Sequence, residues 1–452
     1  EKHSALITMS RAGIKPSLDT LRQIKMAPML IMNAKGEVIP TPATKSYAEG
    51  LDVADYWTSM SGARKGIIQK VQSVQEPGYV TKMIMNTVMD NLVVDNDCGT
   101  NKGIALSIDE KDILDRHLAV DHKAGKHVFK AGTIVTPDVR AALRNNKVGR
   151  VVVRSPLRCQ HGPGICQKCL GLTESGKHAE IGTNIGVLAG QALGERATQL
   201  AMKSFHTGGT AATATGLVDE FSRVKNLLLF PAQLPGSATL STVAGRVKKV
   251  QKDPAGGHNV FVGDVRHYVP QDRGAPQYDG SPIRPGMEIK KGAPISGGPI
   301  NPHEMLPLTG IEAVQGHLAD ELNKIYASEG IRRRNHEVVV KAMTSTTKVE
   351  DPGDHHGFLR GDFASAAMVA NLNRTAPKGS KPIVHKPILR GVNVLPLEMH
   401  EDWIARLNHE RLQNTVMEAA QKGWTSKIHG AHPIPAIVHG AEIGKGKHPW
   451  EY

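Results

Sequence analysis

The chain contains four cysteines and no more: Cys98, Cys159, Cys166 and Cys169. Three lie in CQHGPGICQKC, a C-x6-C-x2-C cluster whose Gly-Pro-Gly loop can bend the backbone so that several sulfurs face one point. Tetrahedral zinc held by four thiolates accounts for the complete set, with Cys98 of DNDCGT closing the site from a distance. Such a site has no open coordination position, which points to folding rather than catalysis. CQKC also reads as a redox dithiol, but that motif normally opens a helix beside a strand and needs no further cysteines. His161 stands in the loop and could replace one sulfur, and DPGDHH (residues 351–356) could recruit a metal or simply lie solvated in a turn.

A length of 452 residues leaves room for roughly two to four domains with real cores. The hydrophobic fraction is 40% and the charged fraction 22%, ordinary for a globular protein, and no apolar run reaches the ~20 residues that cross a bilayer. The first residues, EKHSALITMSRAG, lack a signal peptide's apolar core, so a soluble, non-secreted chain is expected, and they lack an initiator Met, so a processed or trimmed chain is expected. Formal charge is +13, spread along the whole chain. That suits a polyanion, because each neutralised phosphate releases condensed counterions, and it equally suits docking on an acidic protein. Aromatic residues at 4% are too few for a stacking platform on single strands.

The pattern along the chain predicts a mixed α+β, multidomain organisation. Residues 1–50 open with a helical segment carrying Leu18, Leu21 and Ile24 at helical spacing. Residues 51–92 predict a long helix, kinked or broken at Pro77-Gly78, since proline removes a backbone hydrogen bond and clashes with the preceding turn. Residues 93–182 are mixed and hold the cysteines, with KVGRVVVR as a β-branched run. In 183–235 a helix is predicted from about 185 to 206, with Thr183 or Asn184 as N-cap. Residues 236–300 alternate in short strands such as HNVFVGDV, a small β module. Residues 301–452 read as helical, with Ile311, Val314, Leu318, Leu322 and Ile325 on one stripe and an extended, Gly-, His- and Pro-rich tail after about 424.

Within the helix from about 185, Gln199, Met202, Lys203 and His206 are spaced by three and four and project from one face. Three of these four are polar, which makes a poor core stripe and a plausible ligand face: imidazole and ammonium for phosphates, thioether for packing on a planar base. The TGGTAATATG run that follows gives backbone freedom. A helix tip ending in such a run reads either as a lid that folds and unfolds or as a frayed end.

In order along the chain, these segments resemble the C-terminal half of the largest catalytic subunit, beta-prime, of multisubunit DNA-dependent RNA polymerases. GLDVADYWTSMSGARKGI with GYVTK resembles the bridge helix, and DNDCGT with CQHGPGICQKCLG the four-cysteine zinc site. IGVLAGQALGERATQLAMKSFHTGG resembles the trigger loop, and INPHEML, EDPGD, KPILRGV and QNTVMEAA resemble later landmarks up to a C-terminal clamp-connecting region. The resemblance implies that Met202 packs on the base of an incoming ribonucleoside triphosphate, that Gln199 sits near its sugar, and that Lys203 and His206 reach its phosphates. His206 would serve as positional or general-acid catalyst toward pyrophosphate. Arg64, Lys65 and Tyr79 stand at bridge-helix positions that meet nucleic acid.

The resemblance further implies catalysis with Mg2+, held in that family by an Asn-Ala-Asp-Phe-Asp-Gly-Asp motif that is absent from this sequence. A beta-prime N-terminal-like subunit would then supply the aspartates, alongside beta-like subunits, template DNA, the RNA transcript and, in a phage, an initiation factor. Largest subunits divided in two occur in plastids, cyanobacteria and large bacteriophages. Only a short run separates FHTGG from LVDEFSRVK, without room for the inserted domain usual in plastids and cyanobacteria, so a phage enzyme in the cytoplasm of an infected host is expected. The sequence departs from the family at Arg196-Ala197, where Pro-Gly is usual, at Lys203, where arginine is usual, and at Val74-Gln75 with Pro77, where Thr-Ala meets the template base. A non-catalytic zinc-bearing DNA-binding or scaffold protein accounts for the charge and cysteines alone, and a thiol oxidoreductase using Cys166 and Cys169 for the CQKC motif alone.

Overall fold

The computed structural model describes residues 4–12, 18–27, 30–31, 33, 37–125, 127–162, 164–203, 220–254, 256–396, 403–407, 412–426 and 432–440. They divide into two compact units, Glu1–Lys82 with Leu193–Lys225, and Met83–Ala192 with Asn226–Tyr452. No helix of the described residues is long and apolar enough to cross a membrane.

The first unit opens with α1 (Ala5–Arg11) and α2 (Leu18–Lys25) and continues into α3 (Val53–Val88), whose last turns belong to the second unit. Asp52 caps α3 by accepting the Asp55 N–H at 3.0 Å. The buried Asp55 carboxylate in turn accepts the Thr44 and Lys45 N–H groups at 3.2 and 3.1 Å, pinning the preceding segment to the helix start. Val53, Tyr56, Trp57, Ile67 and Ile68 are all more than half exposed, whereas Val80, Met83, Ile84 and Val88 further along are buried. The predicted break at Pro77-Gly78 does not occur: α3 runs through it without interruption. A mid-helix proline costs about 3 kcal/mol, and the tightly buried turns just beyond it offset that cost.

In the second unit, β1 (Val93–Asp95) pairs in parallel with β6 (Ile165–Cys166), which brings the segment before Cys98 beside the other cysteines. β2 (Ile104–Ser107) pairs antiparallel with β5 (Arg150–Val153), and β3 (His122–Ala124) with β4 (His127–Phe129). With α4 (Pro137–Asn145) they enclose a core that includes Leu106, Ile113, Leu118, Val135, Leu143 and Val151. α5 (Gln167–Leu170) is a single turn, and α6 (Ile185–Lys203) begins with Asn184 as its cap, the side chain accepting the Val187 N–H at 2.9 Å.

After α7 (Glu220–Leu229) comes a four-stranded antiparallel sheet in the order β12-β7-β8-β9, from β7 (Gly245–Lys252), β8 (His258–Val262), β9 (Val265–Val269) and β12 (Glu288–Ile289). The short hairpin β10 (Gln277–Tyr278) and β11 (Ser281–Pro282) precedes β12, and Val247, Val260, Val262, Val269, Ile289 and Ile295 form the module's core. α8 (Pro302–Thr309) and α9 (Ile311–Ile325) follow, with Val314, Leu318, Leu322 and Ile325 buried along one stripe of α9, and then α10 (Arg333–Met343), nearly all of it buried.

The stretch from 301 onward departs from the helical reading. β13 (Thr346–Asp351), β14 (Phe363–Ser365) and β15 (Val384–Pro387) form an antiparallel sheet in the order β14-β13-β15, against which α11 (Ala366–Thr375) packs Val369. The β-branched Thr346, Thr347 and Val349 were the available signal. The tail, read as extended, is helical at Pro433–His439: proline occupies the first turn, His432 Nδ1 accepts the Ile434 N–H at 3.2 Å, and Gly440 closes the helix at φ +69°. Two further helices, Trp403–Arg406 and Leu412–Lys422, precede it.

α10 is joined to the 93–182 region through fully buried charge. Arg116 donates to both carboxylate oxygens of Glu337 at 2.8 and 2.9 Å, the Ser155 hydroxyl donates at 2.7 Å and Arg333 Nε at 3.1 Å. Burial raises the Glu337 pKa, but Arg116, Arg333 and Ser155 outweigh it and hold the carboxyl below its ordinary value. Replacing Glu337 by alanine strands two guanidinium groups away from water, and the expected cost is about 3–5 kcal/mol, read as a lowered midpoint in denaturant titration. His336, beside it, is fully buried against Tyr326 with neither ring nitrogen hydrogen-bonded among the described residues, and burial pushes its pKa down to about 3. Below about pH 6.5 the unfolded chain takes up a proton that the folded chain refuses, so stability falls as pH drops from there toward 3. The variant His336→Leu should show a flatter dependence of melting temperature on pH across that window; an unchanged slope would contradict this.

Candidate metal centre and the adjoining helix

The four cysteine sulfurs converge, all lying within 4.8 Å of one another. Cys98 and Cys169 Sγ are 3.7 Å apart, close to the edge of about 3.8 Å expected for a tetrahedron with Zn–S bonds of about 2.3 Å, and none of the four is in a disulfide. Local hydrogen bonds shape the knuckle: Cys166 N–H donates to Cys159 Sγ and Cys169 N–H to Cys166 Sγ, both at 3.4 Å. Gly164, in the loop, packs so closely on the Val94 side chain that a Cβ there would collide with it. The donor set and spacing fit a structural zinc ion, and four cysteine ligands would fill its tetrahedral positions.

Around the sulfurs stands a shell of charge that the sequence did not single out. Arg154, 5% exposed, directs its guanidinium at Cys98 and Cys169 Sγ at 3.3 Å and at Cys166 Sγ at 3.6 Å. Its other partner is Asp97 at 2.8 Å, which also accepts from Lys168 at 2.7 Å. Burial raises the Asp97 pKa, yet Lys168, the Gly99 N–H and Arg154 hold it far below the usual carboxylate range. Lys341 reaches in from α10 and donates to the His161 and Gly164 carbonyls at 2.8 and 2.9 Å, fixing the loop between Cys159 and Cys166. Hydrogen bonds from Cys166 and Cys169 pull the Cys159 thiol down to about 6, and those from Cys159, Cys166 and Cys169 lower Cys98, while Cys166 and Cys169 are pushed up. A cation bound among the sulfurs would displace the thiol protons.

His161 is not one of the ligand group: its Nε2 lies 3.5 Å from Asp95 Oδ2. In DPGDHH the carboxylates turn to the backbone, Asp351 accepting the Gly353 N–H at 3.0 Å and Asp354 the Lys381 N–H at 2.8 Å. The cysteine tetrad is the one such metal-ligand cluster among the described residues.

α6 places Gln199, Met202 and Lys203 at helical spacing. The Gln199 amide oxygen accepts from Arg196 at 2.7 Å, and Ala197, Leu200 and Ala201 are buried. The side chains of Met202 and Lys203, and all of His206, lie outside the described residues. On α3, Arg64 and Tyr79 are exposed, and the Lys65 side chain is likewise outside. The structure therefore brings the cysteines together and leaves the proposed ligand face only partly drawn.

Sequence reasoning also passed over the glycines Gly186, Gly190 and Gly194 of α6, one every fourth residue. In the second unit, a Cβ at Gly186 would strike the Val88 carbonyl of α3, and one at Gly190 would lie 2.8 Å from Met85 Sδ and 3.1 Å from a Val88 methyl. In the first unit, a Cβ at Gly194 would collide with the Thr81 side chain. The missing side chains let the two helices approach closely, and the period of four was the signal.

Residues 50–260, which include α3, all four cysteines and α6, match the family model RNA polymerase Rpb1, domain 5. The chain is 29% identical over 435 residues to the DNA-directed RNA polymerase subunit beta′ of Clostridioides difficile, covering 92% of this chain and 36% of that protein. It is 31% identical over 455 residues to that of Bifidobacterium longum, covering 92% and 33%, and 29% identical over 469 residues to that of Acetivibrio thermocellus, covering 98% and 38%. The chain belongs to the RNA polymerase beta′ family. It spans about a third of the length of these beta′ relatives.

For this beta′ relative, metal analysis should give one zinc per chain and no freely titratable thiol in the native state. Cys166→Ser should lower the zinc content well below one and lower the melting temperature. A native, folded chain without zinc and with four reactive thiols would refute the assignment.

Proposed function

We propose that the chain works within a DNA-directed RNA polymerase, supplying a bridge helix and a trigger loop for template-directed ribonucleotide addition. The observation that carries this reading is the similarity to beta′ subunits over more than nine-tenths of the chain, 92% in the Clostridioides and Bifidobacterium comparisons. In it α3 is the bridge helix, with Arg64, Lys65 and Tyr79 toward nucleic acid. α6 and the residues after it form the trigger loop, with Gln199 at the sugar, Met202 on the base, and Lys203 and His206 at the phosphates of the bound ribonucleoside triphosphate.

His206 acts as a general acid or positional catalyst toward the leaving pyrophosphate, and Lys203 contributes a point charge where arginine would give a planar fork. The zinc site serves the fold. Catalytic Mg2+, which polarises the attacking and leaving oxygens, is held by aspartates of a beta-prime N-terminal-like subunit, with beta-like subunits completing the enzyme around template DNA and transcript. The short run between FHTGG and LVDEFSRVK supports a large-phage enzyme with a divided largest subunit, acting with a phage initiation factor in the host cytoplasm. Mass spectrometry of the purified assembly would reveal a separate chain bearing the aspartates.

The test is reconstitution with the partner subunits and measurement of RNA synthesis on a DNA template. His206→Ala should slow nucleotide addition by about tenfold or more, within the range set by loss of a positioned acid. A full rate in the variant would remove His206 from the mechanism. Salt-dependent DNA binding without any synthesis in the complete assembly would instead favour the zinc-bearing scaffold reading.

A further inference from the structure

In the second unit, the single 3-10 turn Lys111–Ile113 and the connection from α9 to α10 enclose a cleft of about 450 Å3. Its polar lining is Lys111, Asp112, Asp115, Asn323, Arg332 and Arg334: three cations against two carboxylates. Both carboxylates are already engaged, Asp112 by the Arg333 N–H at 2.9 Å and Asp115 by Arg332 at 3.3 Å, and Arg332 also meets the exposed Glu174 carboxylate at 3.7 Å at the cleft's edge.

Arg334 is the unusual member. It is only 6% exposed, and its guanidinium donates solely to backbone carbonyls among the described residues: Leu170 at 3.2 Å, Leu114 at 3.1 Å, and Leu172. Carbonyls solvate a cation without neutralising it. The nearest acid on the other side, Glu337, is taken up by Arg116, Arg333 and Ser155. Burial, with repulsion from Arg116 and Arg332, draws the Arg334 pKa down to about 10 against the opposing pull of Asp115 and Glu337. Lys111, exposed at the rim, makes no ion pair among the described residues. The N-terminus of α10, whose dipole favours an anion, opens at the same place through Arg332, its N-cap.

The volume suits a molecule better than a lone ion. One water occupies about 30 Å3 of liquid, so the cleft is far too large for inorganic phosphate alone and falls in the range of about 300–1,000 Å3 typical of small-molecule sites. Leu114 and Ile331 add apolar wall. We infer that this cleft binds a phosphate-bearing organic molecule of mononucleotide size, with Lys111 and Arg332 holding the phosphate in front of the Arg334 charge and the apolar wall covering the remainder.

This inference is independent of the polymerase reading and needs no partner subunit to test. The zinc-loaded full chain is titrated calorimetrically with AMP, with inorganic phosphate and with triglutamate. The expected result is saturable one-to-one binding of AMP, tighter than phosphate, and weakened about tenfold or more by Lys111→Glu, as loss of a charge-assisted contact requires. Arg332→Gln should act in the same direction, and unchanged circular dichroism confirms that both variants remain folded. AMP binding untouched by Lys111→Glu would place the nucleotide elsewhere, and no saturation by AMP at millimolar concentration would overturn the proposal. Phosphate as tight as AMP would reduce the site to an ion site, and triglutamate binding in place of AMP would make it a site for acidic peptide; either outcome overturns the proposal as well.

Discussion

A carboxylate with no access to water must collect donors, and Glu337 collects four hydrogen bonds from Arg116, Ser155 and Arg333. Two of those residues lie about two hundred positions earlier in the chain. The carboxylate cannot be desolvated on α10 alone, because Arg333 by itself does not satisfy both oxygens. Docking of α10 onto the 93–182 region therefore has to be complete or not occur at all. Once docked, the same helix delivers Arg334 to the carbonyls of Leu170 and Leu172 and Lys341 to those of His161 and Gly164. α10 is thereby the strut that orders the loop between the cysteines.

Charge explains why that strut carries so many cations. With a zinc ion bound, four thiolates around it would leave two excess negative charges in a mostly buried site. Arg154 sits directly on three of the sulfurs and Lys341 behind the loop, so the excess is met by groups that cannot drift away. Asp97 then fixes the orientation of Arg154 and draws in Lys168 at the rim. Binding of a cation would change the charge that these groups face, which would couple the ion to the packing of α10 as well as to its own knuckle.

Some of this was legible in the residue pattern. The stripe from Ile311 to Ile325 is an amphipathic helix because its apolar period is helical over fifteen residues, and four cysteines with no fifth can only be fully used in one place. The Glu337 network could not be read this way: Arg116, Ser155 and Glu337 are ordinary polar residues whose partnership depends on contacts of very long sequence separation. Pro77 misled for a related reason, since a local rule about helix breaking gave way to burial of Val80, Met83, Ile84 and Val88. The β13–β15 sheet was hidden because β13 alternates only weakly and its partner strands are separated by turns and a helix. At the candidate ligand face, only Gln199 of the four residues has its side chain among those described.

The glycine row of α6 bears on the proposed lid. A helix that must change shape at its end still needs a fixed base, and side-chain packing against α3 would supply only a loose one. Glycines at every fourth position let backbone approach backbone, and any added methyl meets the Val88 carbonyl, Met85 or Thr81. Such contacts tolerate little sliding, because interiors packed at crystal-like density do not deform continuously. Beyond Gly194 the buried face passes to Ala197, Leu200 and Ala201, and the constraint weakens from backbone contact to small side chains. Under the proposed function, the Gly194 contact with Thr81 within the first unit steadies the helix below Gln199, and the change in residue size from Gly194 to Leu200 marks where rearrangement can begin.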